Sequence, residues 1–535
     1  MVGIARSRGC QTCRRRKIAC GLEKPYCHQC IKSKRVCTGY QPYPIFIQHK
    51  VPSNTTTKLD VCAERGISAS GADQNAGARQ IVLPNSKYIS SDHGGNVQLA
   101  MSLDLAGQVD PQPVIRQQLL EEYLSLHLPA HQLGPMQRRL WLFQLPTIPK
   151  MSPALEIATM ALCMAKMSDV HNDSVLRHES LELYHRGLLQ LQKALWDPEQ
   201  MYDEQTLAAC VALASYELSQ CPNNSRHGYI IHTAGCEKLI RLRGPEAHKD
   251  GLAHQIFVQY RVQGILYALN QRQPTFLTEP VWQSVPYENN PKTVFDQVYD
   301  FITIATDMHK HGERIPFMDP ISRYRTGRQM ISECWRTDRA LASLYHRLIK
   351  SHDGPLYWFE QAGRQTVEDE DNANSNMPLF PVAFHFPNLT IASTVLVFWA
   401  CEAMLWQGMN QLYRLMGELR RECDKNDFFK SALMVLEAFS GFSADTDPFD
   451  LPALEHRVDF AAPARNIFQS VEYCLKEEMR DHGPKSVAAP LRIAMETLRA
   501  YPEYRRDVEW AEEAMIKVQQ RSLRLLMYYT GTEEH

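Results

Sequence analysis

Six cysteines fall within the first forty residues, and they follow one spacing twice. Cys10, Cys13 and Cys20 form a C-x2-C-x6-C pattern, and Cys27, Cys30 and Cys37 repeat it seventeen residues on. A C-x2-C turn offers two thiolates from local backbone, and tetrahedral zinc takes four. Two such ions need eight ligand positions, and only six sulfurs are present. The count closes when two thiolates each bridge both metals. Near two-fold symmetry makes equivalent members of the halves the bridging pair, and the first of each, Cys10 and Cys27, is the natural choice. The spacing predicts two structural zinc ions held by these six cysteines.

Six cysteines also suffice for three disulfides, the usual staples of a small domain without a core. One mononuclear site with two spare thiols is a third arrangement, against which the matched spacing argues. The opening MVGIARSRGC has no apolar stretch long enough for a secretory signal, so the expectation is a reducing compartment, where such pairs take metal. The other nine cysteines show no ligand spacing, and Cys163, Cys210 and Cys401 sit in apolar helical runs as small hydrophobes.

Ten Lys or Arg and one acid, Glu23, give residues 1–40 a side-chain net of +9. The whole chain is formally −2, so residues 41–535 carry the difference, −11. Six thiolates and two divalent ions subtract only about two charges from the module. A basic face this dense on a metal-stapled unit is the footprint of a phosphate-backbone binder. Arg14, Arg15, Arg16 and Lys17 follow the first C-x2-C, and Lys32 and Lys34 follow the second. No Gly or Pro interrupts either stretch, which predicts one or two helical turns after each pair. Basic side chains on such a turn reach phosphates and the guanine O6 and N7 edges. Read more simply, the run is a solvated charge cluster or a nuclear localisation signal.

Residues 10–37 closely resemble the fungal-type zinc binuclear cluster, or Zn₂Cys₆, of transcription factors. The resemblance implies that Cys10 and Cys27 bridge, and that Lys17, assisted by Arg16, reads a CGG half-site in the major groove. Pro25 matches the family's interhalf proline, whereas Ala19 stands where the family carries Lys or Arg. One phosphate contact is expected to be missing there.

Beyond Cys37 the texture changes twice. Residues 47–110 hold Tyr88 as their sole aromatic and are dominated by small polar residues, a composition that predicts a disordered linker over 46–112. Many DNA-binding factors place a dimerising coiled coil here, but no heptad run marks residues 41–110 as one, and a homodimer stands only among the expected partners. From 113 to 535 helical periodicity takes over, as in Ile115, Leu119, Tyr123 and Leu126, or Tyr184, Leu188, Leu191 and Leu195. Ser152-Pro153 reads as an N-cap with proline at the first helical position, and Arg243-Gly244-Pro245 as a helix stop. Residues 507–528 read as a long charged amphipathic helix. The expectation is a mainly α protein: a zinc cluster module over 1–45, a linker, and a large all-α regulatory domain over 113–535. By length that domain allows two lobes, with the acidic run Glu368–Asp371 as the exposed loop between them.

Leu389–Trp406 is the most apolar stretch, but only about 13 uncharged residues precede Glu402, which suits a core helix better than a membrane span. No phosphate-binding, hydrolase or H-E-x-x-H motif occurs, so the sequence points away from an enzyme. His309 and His311 form an isolated H-x-H that reads as solvated. The patterns Ala234–Pro245, Gln273–Trp282 and Pro490–Ala494 resemble the fungal-specific transcription factor domain. Together the resemblances imply a nuclear regulator of RNA polymerase II genes, such as a pathway or secondary-metabolite cluster, working with double-stranded DNA and co-regulators. The rival reading is a metabolite-sensing or enzymatic helical protein whose cluster only localises it or binds nucleic acid nonspecifically.

Overall fold

Chain contacts separate residues 1–101 from residues 102–535, and each unit is taken by itself. The computed structural model describes residues 12–13, 16–18, 20, 27–33, 35, 112–129, 140–220, 227–312, 314–362, 379–439 and 447–522. Cys10, Cys37, Arg14, Arg15, Lys34 and nearly all of the expected linker lie outside those residues, as do the Glu368–Asp371 run and the tail beyond Ser522. In the first unit the described helix is α1 (His28–Lys32).

The second unit is built from helices. In chain order the main ones are α2 (Gln112–His127), α3 (Pro153–Val170), α4 (Ser174–Trp196), α5 (Glu204–Gln220), α6 (His227–Arg243) and α7 (Gly251–Gln271). They continue with α8 (Val294–Gly312), α9 (Pro320–Ser351), α10 (Leu389–Cys423), α11 (Asp427–Phe439), α12 (Ala461–Cys474), α13 (His482–Arg499) and α14 (Arg505–Ser522). The start of α3 is the one its sequence announces: Ser152 Oγ accepts from the Leu155 N–H at 3.3 Å, with Pro153 at the first helical position. Small residues then bring three helices close. Ala154, Ala158, Ala161 and Ala165 line one face of α3, and Ala208, Ala209 and Ala212 answer from α5, all buried. On α4, a Cβ added at Gly187 would stand 3.6 Å from the Ala158 backbone. Helix α6 ends at Gly244, where φ is +76° and the N–H reaches the Ile240 carbonyl before Pro245 blocks continuation.

The apolar stretch 389–406 is the start of a 35-residue helix, α10, long and apolar enough by composition to cross a membrane. Its residues serve as core instead: Leu389, Ala392, Val395, Leu396 and Phe398 are fully enclosed. The two lobes expected from length are two hydrophobic clusters within one unit. Helices α9 and α10 run through both. Leu341, Leu344 and Leu348 of α9 join the first half of α10 in the larger cluster, and Tyr324, Ile331 and Cys334 join its second half in the smaller. At the junction Trp406 packs on both clusters and donates to Asp338 at 3.0 Å. Asp338 also takes two bonds from Arg457, at 2.9 and 2.7 Å, and this guanidinium lies 4.7 Å from the Trp335 ring.

One feature departs from the all-helical expectation. Strands β1 (Trp358–Gln361) and β2 (Val382–His385) pair antiparallel, with Trp358 opposite His385 and Gln361 opposite Val382. Strand β1 is exposed at all four positions, so Trp358–Gln361 carries no apolar–polar alternation for a sequence to show. The segment expected to join lobes therefore connects two paired strands.

Candidate metal centre

The repeat in the sequence becomes a repeat in the backbone. Arg16 N–H donates to the Thr12 carbonyl at 3.2 Å, and Ser33 N–H donates to the Gln29 carbonyl at 3.2 Å, the same bond seventeen residues on. Ile18 N–H donates to the Cys13 carbonyl at 3.1 Å, and Arg35 N–H donates to the Cys30 carbonyl at 3.0 Å, again displaced by seventeen. The second kind of bond closes a helix end across one left-handed residue. In the first half that residue is Lys17, at φ +55°.

Helix placement corrects the expectation of turns following each C-x2-C. In the second half the helix begins at the motif: Cys27 is its N-cap, its sulfur accepts from the Cys30 N–H, and Cys30 lies inside α1. In the first half Thr12 and Cys13 are helical and the turn closes by Ile18. A ligand sulfur capping its own helix explains the shift, because it satisfies an N–H that would otherwise start the helix later. Lys17 thus stands at the left-handed end of a turn, not midway along a helix.

Cys27 Sγ is the hub. It lies 3.6 Å from Cys13 Sγ and 3.4 Å from the Cys30 N–H nitrogen, while Cys13 Sγ lies 3.8 Å from Cys30 Sγ. The sulfurs of Cys13, Cys20 and Cys27 all fall within 4.8 Å of one another. Zinc–sulfur bonds of about 2.3 Å in a tetrahedron place neighbouring sulfurs roughly 3.8 Å apart. The described sulfurs are therefore close enough together to hold a thiolate-bound zinc. Burial alone would raise the Cys27 thiol, but hydrogen bonds from the Cys30 backbone and from the Cys13, Cys30 and Cys20 side chains bring it down to about 7. Metal is a stronger driver of the same deprotonation. Among the described residues of the module, Cys13, Cys27 and Cys30 are enclosed together with Thr12.

Charge sits outside this sulfur centre. Arg16, Lys17 and Lys32 are exposed, and Arg35 joins them as an exposed cation that reasoning from position in the motif passes over. The available signal was the backbone: Arg35 is the seventeen-residue counterpart of Ile18, itself exposed. Arg14, Arg15 and Lys34 lie outside the described residues. His309 and His311 fall on α8, and their side chains are likewise outside.

Residues 8–44 match the fungal Zn(2)-Cys(6) binuclear cluster domain, and residues 118–297 match the fungal specific transcription factor domain. An uncharacterised protein of Emericella nidulans is 32% identical over 162 residues, 30% of this chain and 34% of that protein. An uncharacterised transcriptional regulatory protein of Schizosaccharomyces pombe is 58% identical over 36 residues, 7% of each chain. White-opaque regulator 2 of Candida albicans is 43% identical over 53 residues, 10% of this chain and 11% of the relative. The matches thus span about a third of the first relative and about a tenth or less of the others. No solved structure matches. The cluster domain binds two zinc ions, and the described sulfurs of Cys13, Cys20 and Cys27 are grouped closely enough to hold a metal ion.

Proposed function

Because the chain carries a fungal Zn(2)-Cys(6) binuclear cluster domain followed by a fungal specific transcription factor domain, we propose that it is a sequence-specific DNA-binding regulator of RNA polymerase II genes, acting in the nucleus. The observation that carries this reading is the inside-out arrangement of the module: enclosed sulfurs spaced for zinc, with Arg16, Lys17, Lys32 and Arg35 turned to solvent. In this proposal Cys10 and Cys27 bridge the two ions, Cys13 and Cys20 complete one, and Cys30 and Cys37 complete the other. The hub position of Cys27 supports its bridging part. Lys17 reads a CGG half-site with Arg16 beside it, and Arg14, Arg15, Lys32 and Lys34 hold phosphates. The helical domain modulates this binding through a co-regulator, and the genes served form a pathway or secondary-metabolite cluster.

The test compares the zinc-loaded full chain on CGG-containing and scrambled duplex at one fixed salt concentration. A specific regulator binds its site about 10³-fold or more tighter than random duplex. Equal binding to both, with the same steep salt dependence, would leave only electrostatic attachment and return the rival reading of a helical sensor or enzyme.

A further inference from the structure

The two halves of the zinc module share a backbone but differ in side chain at Ser33. Its counterpart seventeen residues earlier is Arg16. Both close the same turn, Arg16 N–H on the Thr12 carbonyl and Ser33 N–H on the Gln29 carbonyl, each at 3.2 Å. Arg16 makes that bond without a hydroxyl, so the turn does not need one at Ser33. Both residues are exposed, whereas Thr12, the other hydroxyl-bearing residue described in this unit, is enclosed. Ser33 is the C-cap of α1, and its Oγ lies 2.7 Å from the Gln29 carbonyl oxygen and 3.1 Å from that of Cys30. The hydroxyl proton is thus shared between two carbonyls of the helix end. In sequence Lys32 precedes Ser33, and Lys34 and Arg35 follow it. Lys32 and Arg35 are exposed, and Glu23 is the sole acid in residues 1–40.

We propose that Ser33 is a phosphorylation site for a kinase that selects basic flanks, and that its phosphate loosens the module's grip on the DNA backbone; the second part rests on the DNA-binding reading above. In the transfer, Ser33 Oγ attacks the terminal phosphorus of a nucleoside triphosphate. The O–P bond forms as the bond to the departing diphosphate breaks, and the hydroxyl proton passes to the kinase. Esterification removes the proton that the Gln29 and Cys30 carbonyls share. The phosphate brings about −1.5 to −2 charges to the C-terminal end of α1, where carbonyl oxygens and the helix dipole repel it. It turns instead to cations, and the exposed Lys32 and Arg35 stand one and two residues away along the chain. Charge-assisted bonds to them compete directly with a DNA phosphate for the same groups. Arg16 cannot be modified in this way, so the switch belongs to the second half of the repeat and leaves Lys17 untouched.

The experiment incubates the zinc-loaded full chain with magnesium ATP and the catalytic fragment of protein kinase C, then maps phosphopeptides by mass. Phosphate is expected on Ser33 in the parent, with the same peptide unmodified in Ser33→Ala. The phosphorylated chain should keep its zinc and its ratio of CGG to scrambled binding, yet hold both duplexes more weakly. Its salt slope should fall by about two units, one for each cation the phosphate occupies. Ser33→Glu should shift the slope the same way by less, and Ser33→Ala should leave slope and zinc content at the parent values. No phosphate on Ser33, or a modified chain with the parent's slope, would overturn the proposal. So would zinc release on phosphorylation, since the phosphate would then act by unfolding the module. A parent that binds both duplexes alike strikes the sequence-specific reading alone, because the Ser33 map and the slope on scrambled duplex do not depend on it.

Discussion

Cysteine does opposite work in the two units of this chain. Among the described residues of the first unit, Cys13, Cys27 and Cys30 are nearly all that is enclosed, and their sulfurs stand at tetrahedral spacing. In the second, Cys163, Cys401 and Cys474 are single buried side chains among Leu, Phe and Trp. No group of metal-fitting geometry occurs among the described residues there. A forty-residue module cannot bury enough apolar surface to stand alone, so its folding free energy is its metal-binding free energy. A domain of some four hundred residues has no such shortage, and helix α10 alone contributes a row of fully enclosed side chains. Density and spacing, not the identity of the residue, decide which role a thiol takes.

Metal removal tests that contrast with the largest effect. Structural zinc is worth about 10–16 kcal/mol to modules of this size. A strong chelator added to the full chain should therefore abolish DNA binding and release two zinc ions, while helical circular dichroism from 112–522 is retained. Cys27→Ser should reduce the zinc content towards zero, because a hub sulfur serves both ions, whereas Cys20→Ser should leave about one. Loss of the helical signal on chelation would show that the two units depend on each other.

The reverse experiment perturbs the helical domain alone. Asp338 accepts from Trp406 and, twice, from Arg457, where the two hydrophobic clusters meet. Removing one partner of a buried ion pair costs about 3–5 kcal/mol because the other charge is stranded. Asp338→Ala should lower the thermal midpoint of the domain by several degrees and leave zinc content and CGG preference unchanged. A milder perturbation uses pH. His127, at the end of α2, lies against Asp481 and is surrounded by Lys166, Lys485 and His482. Burial, then Lys485, holds the imidazole down to about 4. Between pH 6.5 and 4 the unfolded chain takes up a proton that the folded one refuses, so this contribution is present above pH 6.5 and is lost as pH falls. Its slope is at most about 1.4 kcal/mol per pH unit. Denaturant midpoints of His127→Gln should fall less steeply than those of the parent over that window, and parallel curves would remove His127 from the account.

Much of this was legible before any coordinates. The repeated C-x2-C-x6-C spacing carries the zinc reading because metal geometry is local: six residues in fixed register define it. Ser152-Pro153 and Gly244-Pro245 gave helix limits correctly for the same reason, since caps depend on one or two residues. Two things were not legible. The β1–β2 ribbon is held by partners some twenty residues apart, beyond a periodicity window. The partition of α9 and α10 between two clusters depends on which helices lie across from each half.

Lys17 offers the smallest and sharpest effect, because its backbone and side chain are separable. A residue at φ +55° carries a left-handed penalty of roughly 1 kcal/mol that glycine escapes. Lys17→Gly therefore removes the ammonium while easing the turn, and Lys17→Ala removes it while keeping the strain. If Lys17 reads base edges, both variants should lose about 1–3 kcal/mol of preference for CGG over scrambled duplex, by the same amount in each. Lys32→Ala, at an exposed position on α1, should instead weaken all duplexes alike and lower the salt slope by about one unit. Suppose Lys17→Gly keeps the preference and Lys17→Ala loses it. The residue then acts by shaping the helix end through its backbone, and the base contact passes to Arg16 or to Arg35 in the other half of the repeat.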